Sequence, residues 1–387
     1  MGHGMNGNDA RQGPLAGIKV VELGQNLAGP YAASVLADLG ADVIKIEKPG
    51  GDDARGWGPP FVDDMSISFH LMNRNKKSVV LSLDKDTDKQ AFLRLIREAD
   101  IFIHNLRPGV AEKLGIDGPS MMLENPRLVY CAQSAFGHAG PMRMKPGYEP
   151  LLQAFAGLVS VNGDPAGPAS RVGPSIVDLG TGMWSVIGAL SALMRRHETG
   201  KGAIVEASLF ETALTWVARH AADYGATGKI PPRVGTGHNS LTPYQAFEAK
   251  DGPLVIAAGN DRLFAKLARV LGHAEWAQDE RFASNAQRTR NREALVPMIA
   301  GIVRGQSVDH WIALMEEAGV PCSPINSIPQ VIDHSQTQAL GILPDSGNKD
   351  LRLMALPLSF DGERPGLGST APKLGADQHI VKQEQTA

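Results

Sequence analysis

Apolar positions in this chain fall into short unbroken runs separated by stretches with helical spacing. "GIKVVEL" (17–23) reads as a buried strand. "PYAASVLADLG" (30–40) reads as a helix entered at Pro30 and stopped at Gly40, and "ADVIKIE" (41–47) as the next strand. The alternation continues with a strand at "SVVLSL" (78–83), a helix over 86–98, a strand at "DIFIHN" (100–105), short helices to 124 and a strand at "RLVYCA" (127–132). A long apolar helix then runs to "RRHETG", where Arg195, Arg196 and His197 suit the negative end of the helix and Gly200 supplies the stop. "GAIVEASLFETALTWVARHAADYG" (202–225) predicts a strand and a further long helix. Unbroken apolar strands alternating with helices predict a doubly wound, Rossmann-like α/β fold, a parallel sheet covered on both faces.

The pattern changes over "GATGKIPPRVGTGHNS" (225–240), a Gly- and Pro-rich linker. Beyond it a second, smaller α/β domain is expected, with strands at "PYQAFEA" and "GPLVIAAG", helices at 261–271, 288–303 and 307–318, and "GVPCSPIN" (319–326) leading back out. One more strand is expected at "LRLMALPLSF" (351–360), before a polar, mobile end. The chain therefore divides into a disordered leader (1–14), a large domain (15–224), a linker (225–242), a small domain (243–326) and a segment returning to the large domain (327–387).

The length of 387 residues suits two domains, and 43% hydrophobic with 20% charged residues is the balance of a globular enzyme. A net charge of −3 gives no general attraction for nucleic acid or an anionic membrane, so any bound anion must be met by a local group of cations. The longest apolar stretch, Leu179 to Met194, is interrupted by hydroxyls and glycines and is short for a membrane span. Two cysteines without ligand spacing fit a reducing, cytoplasmic setting, and the 11 histidines form no metal motif.

The first strand–helix turn, "GQNLAGP", lacks the G-x-G-x-x-G spacing of dinucleotide oxidoreductases. Lys48 follows the second strand, and "NRNKKS" (73–78) puts Arg74, Lys76 and Lys77 just before the third, where such cations could meet phosphates or form an ordinary solvated turn. One acid stands out. Asp178, in "VGPSIVDLGTGMW" (172–184), sits among small residues where the long helix begins. It could cap the helix. The other reading is a nucleophile, held ionised by the helix dipole, with Gly173, Gly180 and Gly182 leaving room for a ligand.

Several of these stretches, in order, carry a resemblance: "VVELGQNLAGPYAASVLADLGADVIKIEKPGGDDARGWGPPF", "NRNKKS", "HNLRPG", "GYEPLLQAFAGL" and "VDLGTGMW". Over about residues 15–340 the chain resembles the class III CoA transferases, the family that includes formyl-CoA transferase, carnitine CoA-transferase and α-methylacyl-CoA racemase. The resemblance implies that Asp178 is the catalytic nucleophile, passing through an aspartyl anhydride and an aspartyl-CoA thioester. It places CoA, as cosubstrate with no other cofactor and no metal, on Gln25, Asn26, Leu27, Lys48, Leu81, Asn105, Leu106 and Lys113, with Lys145 a displaced substitute for a family lysine. It also implies an interlocked homodimer with crossings near 225–240 and 325–345, and an active-site glycine loop reduced here to "AAGN" (257–260).

The racemase branch needs an acid–base pair and carries a His where this chain reads Gly147-Tyr148-Glu149. Tyrosine, with a pKa of about 10, is a poor base at neutral pH, which favours transfer over racemisation and assigns Tyr148 and Glu149 to the acyl pocket. An intact Asp178 speaks against a non-catalytic acyl-CoA-binding relative. "GDDARGWGPPF" (51–61), "NRNKKS" and "RVGTGHNSLTPYQAF" (233–247) resemble the branch acting between succinyl-CoA and dicarboxylates such as glutarate. The candidates for the distal carboxylate are Arg55, His238 and Asn239.

Overall fold

The computed structural model describes residues 13–382, so the expected leader lies outside the described residues except for Gly13 and Pro14, as does the end of the polar tail. The chain forms two compact units, each described by itself. The first comprises the residues to Gly157, Val172–Arg219 and those from Gln336 onward; the second comprises Leu158–Arg171 and His220–Ser335. Leu158–Arg171, expected inside the large domain, thus belongs to the second unit.

In the first unit, β1 (Lys19–Leu23), β2 (Asp42–Glu47), β3 (Lys76–Val80), β4 (Ile101–His104), β5 (Val129–Ser134) and β6 (Ala203–Ser208) form one sheet in the order β3-β2-β1-β4-β5-β6. Every pairing is parallel, with Val21 opposite Ile44 on one side and Phe102 on the other. Alternate residues of each strand feed separate cores. On one face α1 (Ala28–Asp38) and the long apolar helix cover Val20, Val43, Ile101, Ile103 and Val129. On the other, α2 (Asp86–Glu98) and the short helices to Glu124 cover Val21, Ile46, Phe102 and Tyr130.

Strand β3 starts two residues before the expected run because Lys76 is buried. Its ammonium group donates to Glu22 Oε2 at 2.7 Å, which no hydropathy pattern reveals. The free edge of β3 is closed from the far end of the chain. Ser78 N–H donates to Asp377 Oδ2 at 2.9 Å, Val80 N–H to Gln378 Oε1 at 2.8 Å, and Gln378 Nε2 to Val80 O at 3.0 Å, so side chains take the place of a seventh strand.

Helix α3 (Glu149–Phe155) precedes the long helix, α4 (Ile176–Thr199), which ends at Gly200 in the left-handed conformation, as expected. At 24 residues α4 is long and apolar enough to cross a membrane, but it lies on α1 as a core helix, and 44% of its most apolar stretch is buried in the protein. Its glycines serve packing rather than ligand access. A Cβ on Gly182 would lie 2.7 Å from the Tyr31 ring, and one on Gly180 would lie 2.8 Å from Thr212 Cγ2; at Gly173, ahead of the helix, a Cβ would meet nothing within 4 Å. The helix expected after β6 is broken at Val217 into α5 (Leu209–Trp216) and Ala218–Thr227.

In the second unit, β7 (Tyr244–Glu248), β8 (Pro253–Ala257) and β9 (Cys322–Pro324) form an antiparallel sheet in the order β9-β8-β7. Helices at Asp261–Val270, Asn285–Arg290, Arg292–Val303 and Val308–Ala318 close a core around Leu254, Ile256, Phe264, Trp276 and Trp311. "GVPCSPIN", expected as an exit segment, contains β9, and the helix expected over 288–303 is interrupted at Asn291. The strand expected over 351–360 does not form. Leu351, Leu353 and Ala355 keep the alternate burial of a strand, but Pro357 has no N–H to donate and the segment pairs only through an isolated bridge from Phe360 to Glu363.

Candidate active site

In a doubly wound sheet the ligand crevice opens at the carboxyl ends of the two strands where the order reverses, here β1 and β4. The loops leaving these strands are tied together. Gln25 N–H donates to Asn105 Oδ1 at 2.8 Å and Asn105 Nδ2 donates to Gln25 O at 2.7 Å. Beside them lies a cavity of about 230 Å³ whose lining includes Leu23, Gln25, Lys48, Leu81, Leu106 and Leu114. The structure thus gathers four residues of the expected CoA set around one apolar hollow, with Asn105 bracing it and Asn26 and Leu27 continuing the turn. Lys48 is half-exposed and pairs with Asp53 at 2.7 Å, an exposed contact that contributes little and leaves the ammonium group available. Lys113 is exposed on the helix whose Leu114 lines the cavity, and Lys145 is exposed on a loop outside it.

The cations of "NRNKKS" are engaged internally and do not form a phosphate site. Arg74 grips Asp38 at 2.6 Å, Lys77 pairs with Asp42 at 2.6 Å, and Lys76 is buried on Glu22. Arg55 is engaged in the same way. Its Nε and Nη2 donate to the two oxygens of Glu47 at 2.8 and 2.7 Å, Nη2 also reaches Pro372 O at 3.1 Å, and the guanidinium lies 3.9 Å over the Phe69 ring. A guanidinium committed to a two-pronged pair cannot also clamp a substrate carboxylate, so Arg55 is withdrawn from that role.

Asp178 is the third residue of α4. The cap position belongs to Ser175, so the capping reading fails. The expectation that the helix dipole holds the carboxyl ionised fails too: burial, and then the nearby charge of Glu149, push it up to about 7. Glu149, the first residue of α3, is buried. Its Oε1 accepts from Gln153 Nε2 at 2.7 Å and from Val177 N–H at 3.4 Å, while Oε2 is buried with no hydrogen-bond partner. Gln153 also accepts from Val172 N–H at 2.8 Å, joining α3 to the segment that leads into α4. Sequence reasoning missed Gln153, although Glu149 and Gln153 stand four apart on one helix face. Tyr148 is more than half exposed at the start of α3.

His238 and Asn239 belong to the second unit. There Arg292 Nη2 donates to their backbone carbonyls at 3.1 and 3.0 Å, and His238 Nδ1 accepts from Ser240 N–H. Asn239 Oδ1 is buried without a partner. Among the described residues, no group of three or more His, Cys, Asp and Glu could hold a metal ion.

The first unit is thus a doubly wound protein with a crevice of nucleotide-binding type and, at the start of its longest helix, a carboxyl poised to change charge near neutral pH. Residues 15–378 match the family model for CoA-transferase family III, and the chain belongs to that family. It is 38% identical to the acetyl-CoA:oxalate CoA-transferase of Acetobacter aceti, over 97% of each chain. It is 34% identical to the succinate–glutarate CoA-transferase of Agrobacterium fabrum (strain C58), over 97% of this chain and 98% of that one. A crystal structure of a CaiB/BaiF family protein from Brucella suis superposes with a TM-score of 0.86 at 38% identity, covering 96% of this chain and 99% of that one. The chain is accordingly an enzyme of this class, and acyl-CoA and carboxylate substrates are consistent with these relatives.

Proposed function

We propose that the enzyme moves CoA from an acyl-CoA, succinyl-CoA in the first instance, to a dicarboxylic acid such as glutarate, with Asp178 as the covalent nucleophile. The observation that carries this reading is the state of Asp178, a carboxyl partly withdrawn from water beside Glu149. Poor solvation makes the anion a stronger nucleophile than a free carboxylate. Ionised Asp178 attacks the thioester carbonyl, and the C–S bond breaks to give an aspartyl–acyl anhydride and CoA thiolate. The thiolate then attacks the aspartyl carbonyl, releasing the donor acid and leaving an aspartyl-CoA thioester. The acceptor carboxylate reverses the sequence. CoA would rest on the Gln25–Leu27 turn with its adenine among Leu81 and Leu106 and its phosphates towards Lys48 and Lys113, while Lys145 lies farther along the 135–148 loop.

The dicarboxylate reading draws support from the names of two relatives, since oxalate and glutarate each carry a second carboxylate. Burying that group unpaired would cost several kcal/mol, so a partner is required. With Arg55 occupied by Glu47, His238 and Asn239 are the candidates. With succinyl-CoA as donor, glutarate should exceed butyrate in kcat/KM by at least about tenfold, equivalent to about 1.4 kcal/mol. Mass spectrometry of the thioesters formed from oxalate, glutarate and butyrate makes the measurement. Equal values for glutarate and butyrate would leave only the family activity standing.

An interlocked homodimer belongs to the same proposal. Helix Ala218–Thr227 buries none of its residues within the chain, and α4 leaves Met183, Trp184, Ile187 and Met194 exposed, more apolar surface than a monomer usually shows. Chains that interlock cannot part without unfolding. Mass photometry at nanomolar concentration should therefore find only dimers, and a monomer that grows on dilution would rule out the interlocked form.

A further inference from the structure

We infer that Asp52 is a positioning residue for CoA: together with Glu22, Lys45 and Lys76 it clamps the backbone of the Gly24–Pro30 turn in the shape that receives the nucleotide half of the molecule. This rests on the CoA site proposed above and adds to it how a turn without the usual glycines is held.

The four charged side chains are buried and sum to zero. Lys45 Nζ donates to Glu22 Oε1 at 2.9 Å and Gly24 O at 2.8 Å and lies 3.0 Å from Asp52 Oδ2. Lys76 Nζ donates to Glu22 Oε2 at 2.7 Å, Pro30 O at 2.8 Å and Asn73 Oδ1 at 3.0 Å. Lys76 thus has three acceptors for its three protons, while Lys45 has two and faces Asp52 as an ion pair. Asp52 Oδ1 accepts from Asn26 N–H at 3.2 Å and from Ala54 N–H at 3.0 Å.

These contacts hold the carbonyl of Gly24, the N–H of Asn26 and the carbonyl of Pro30. Asn105 holds both backbone groups of Gln25, between the first two. Asn26 has φ 67°, in the left-handed region, which asparagine enters more readily than most residues with a side chain but still uncommonly. Asp52 is the one side chain of the four that reaches the backbone at that residue, and it also starts the turn of Asp53–Gly56 that carries Asp53 beside Lys48.

Asp52→Ala removes the restraint on Asn26 and leaves Lys45 on Glu22 and Gly24. The expected result is a folded enzyme whose CoA dissociation constant, measured by calorimetry, rises by about tenfold or more. Its kcat at saturating acyl-CoA should stay within about threefold of wild type, and kinetics with an acyl-pantetheine, which lacks the nucleotide, should not change. Asp52→Asn keeps an acceptor for Asn26 N–H and should fall between Asp52→Ala and wild type; it carries the test if the alanine variant does not fold. A purely structural role predicts a lower unfolding temperature with CoA affinity within about twofold of wild type, or equal weakening of acyl-CoA and acyl-pantetheine, and either result overturns the inference. Wild-type protein that does not bind CoA would overturn the proposed function and the clamp with it, whereas normal wild-type binding with unaffected variants removes the clamp alone.

Discussion

Asp178→Ala is expected to lower kcat by three or more orders of magnitude, roughly the loss seen when a covalent nucleophile is removed. The neighbouring carboxylate cannot substitute. Glu149 is buried, and its Oε1 is held by Gln153 and by the Val177 N–H. The variant should still fold and bind CoA, because Asp178 does not line the cavity at Leu81 and Leu106. Treating wild-type enzyme with acyl-CoA and then hydroxylamine should leave a hydroxamate at Asp178, located by peptide mass spectrometry. A variant that keeps more than about a tenth of wild-type kcat, a barrier change under about 1.4 kcal/mol, would exclude the aspartyl route.

The second large effect is on pH dependence. Asp178 titrates at about 7, and only its ionised form can attack, so acylation should fall about tenfold for each pH unit below that point. Burial is the larger cause of the elevation and the charge of Glu149 the next. Glu149→Gln keeps an oxygen for Gln153 Nε2 and removes the charge. Because a neighbouring anion raises a carboxyl pKa, its removal must lower that of Asp178 and move the acid limb to lower pH, though not to the value of about 3.9 found in solution, since burial persists. Pre-steady-state acylation rates from pH 5 to 8 give both profiles. A limb at the same pH in variant and wild type would show that Glu149 does not set the charge of Asp178.

The parallel sheet is legible in the sequence because its strands are buried on both faces and read as unbroken apolar runs, as in "IFIH" of β4. The stop of α4 at Gly200 is legible because a left-handed residue there favours glycine. Asp178 stands out for a similar reason, an acid in a run of small residues at the start of a helix. The roles of the other charges are hidden, because they depend on partners that only the fold brings together. Glu22 answers Lys45 and Lys76, Arg55 answers Glu47 and Pro372, and Asp38 answers Arg74. A basic cluster such as "NRNKKS" looks the same in one dimension whether it meets a phosphate or a buried carboxylate. The protonation of Asp178 is hidden in the same way, since Glu149 reaches it from a different helix.

The closing of β3 by Asp377 and Gln378 also sets a timetable for synthesis. The partners Val80 and Gln378 are 298 positions apart. A ribosome adding about 5–20 residues per second needs about 15–60 s to travel that distance. For that interval the nascent sheet carries an open row of backbone donors and acceptors. A chain that stopped before Asp377 would keep that edge unsealed, a surface that other growing chains can add to.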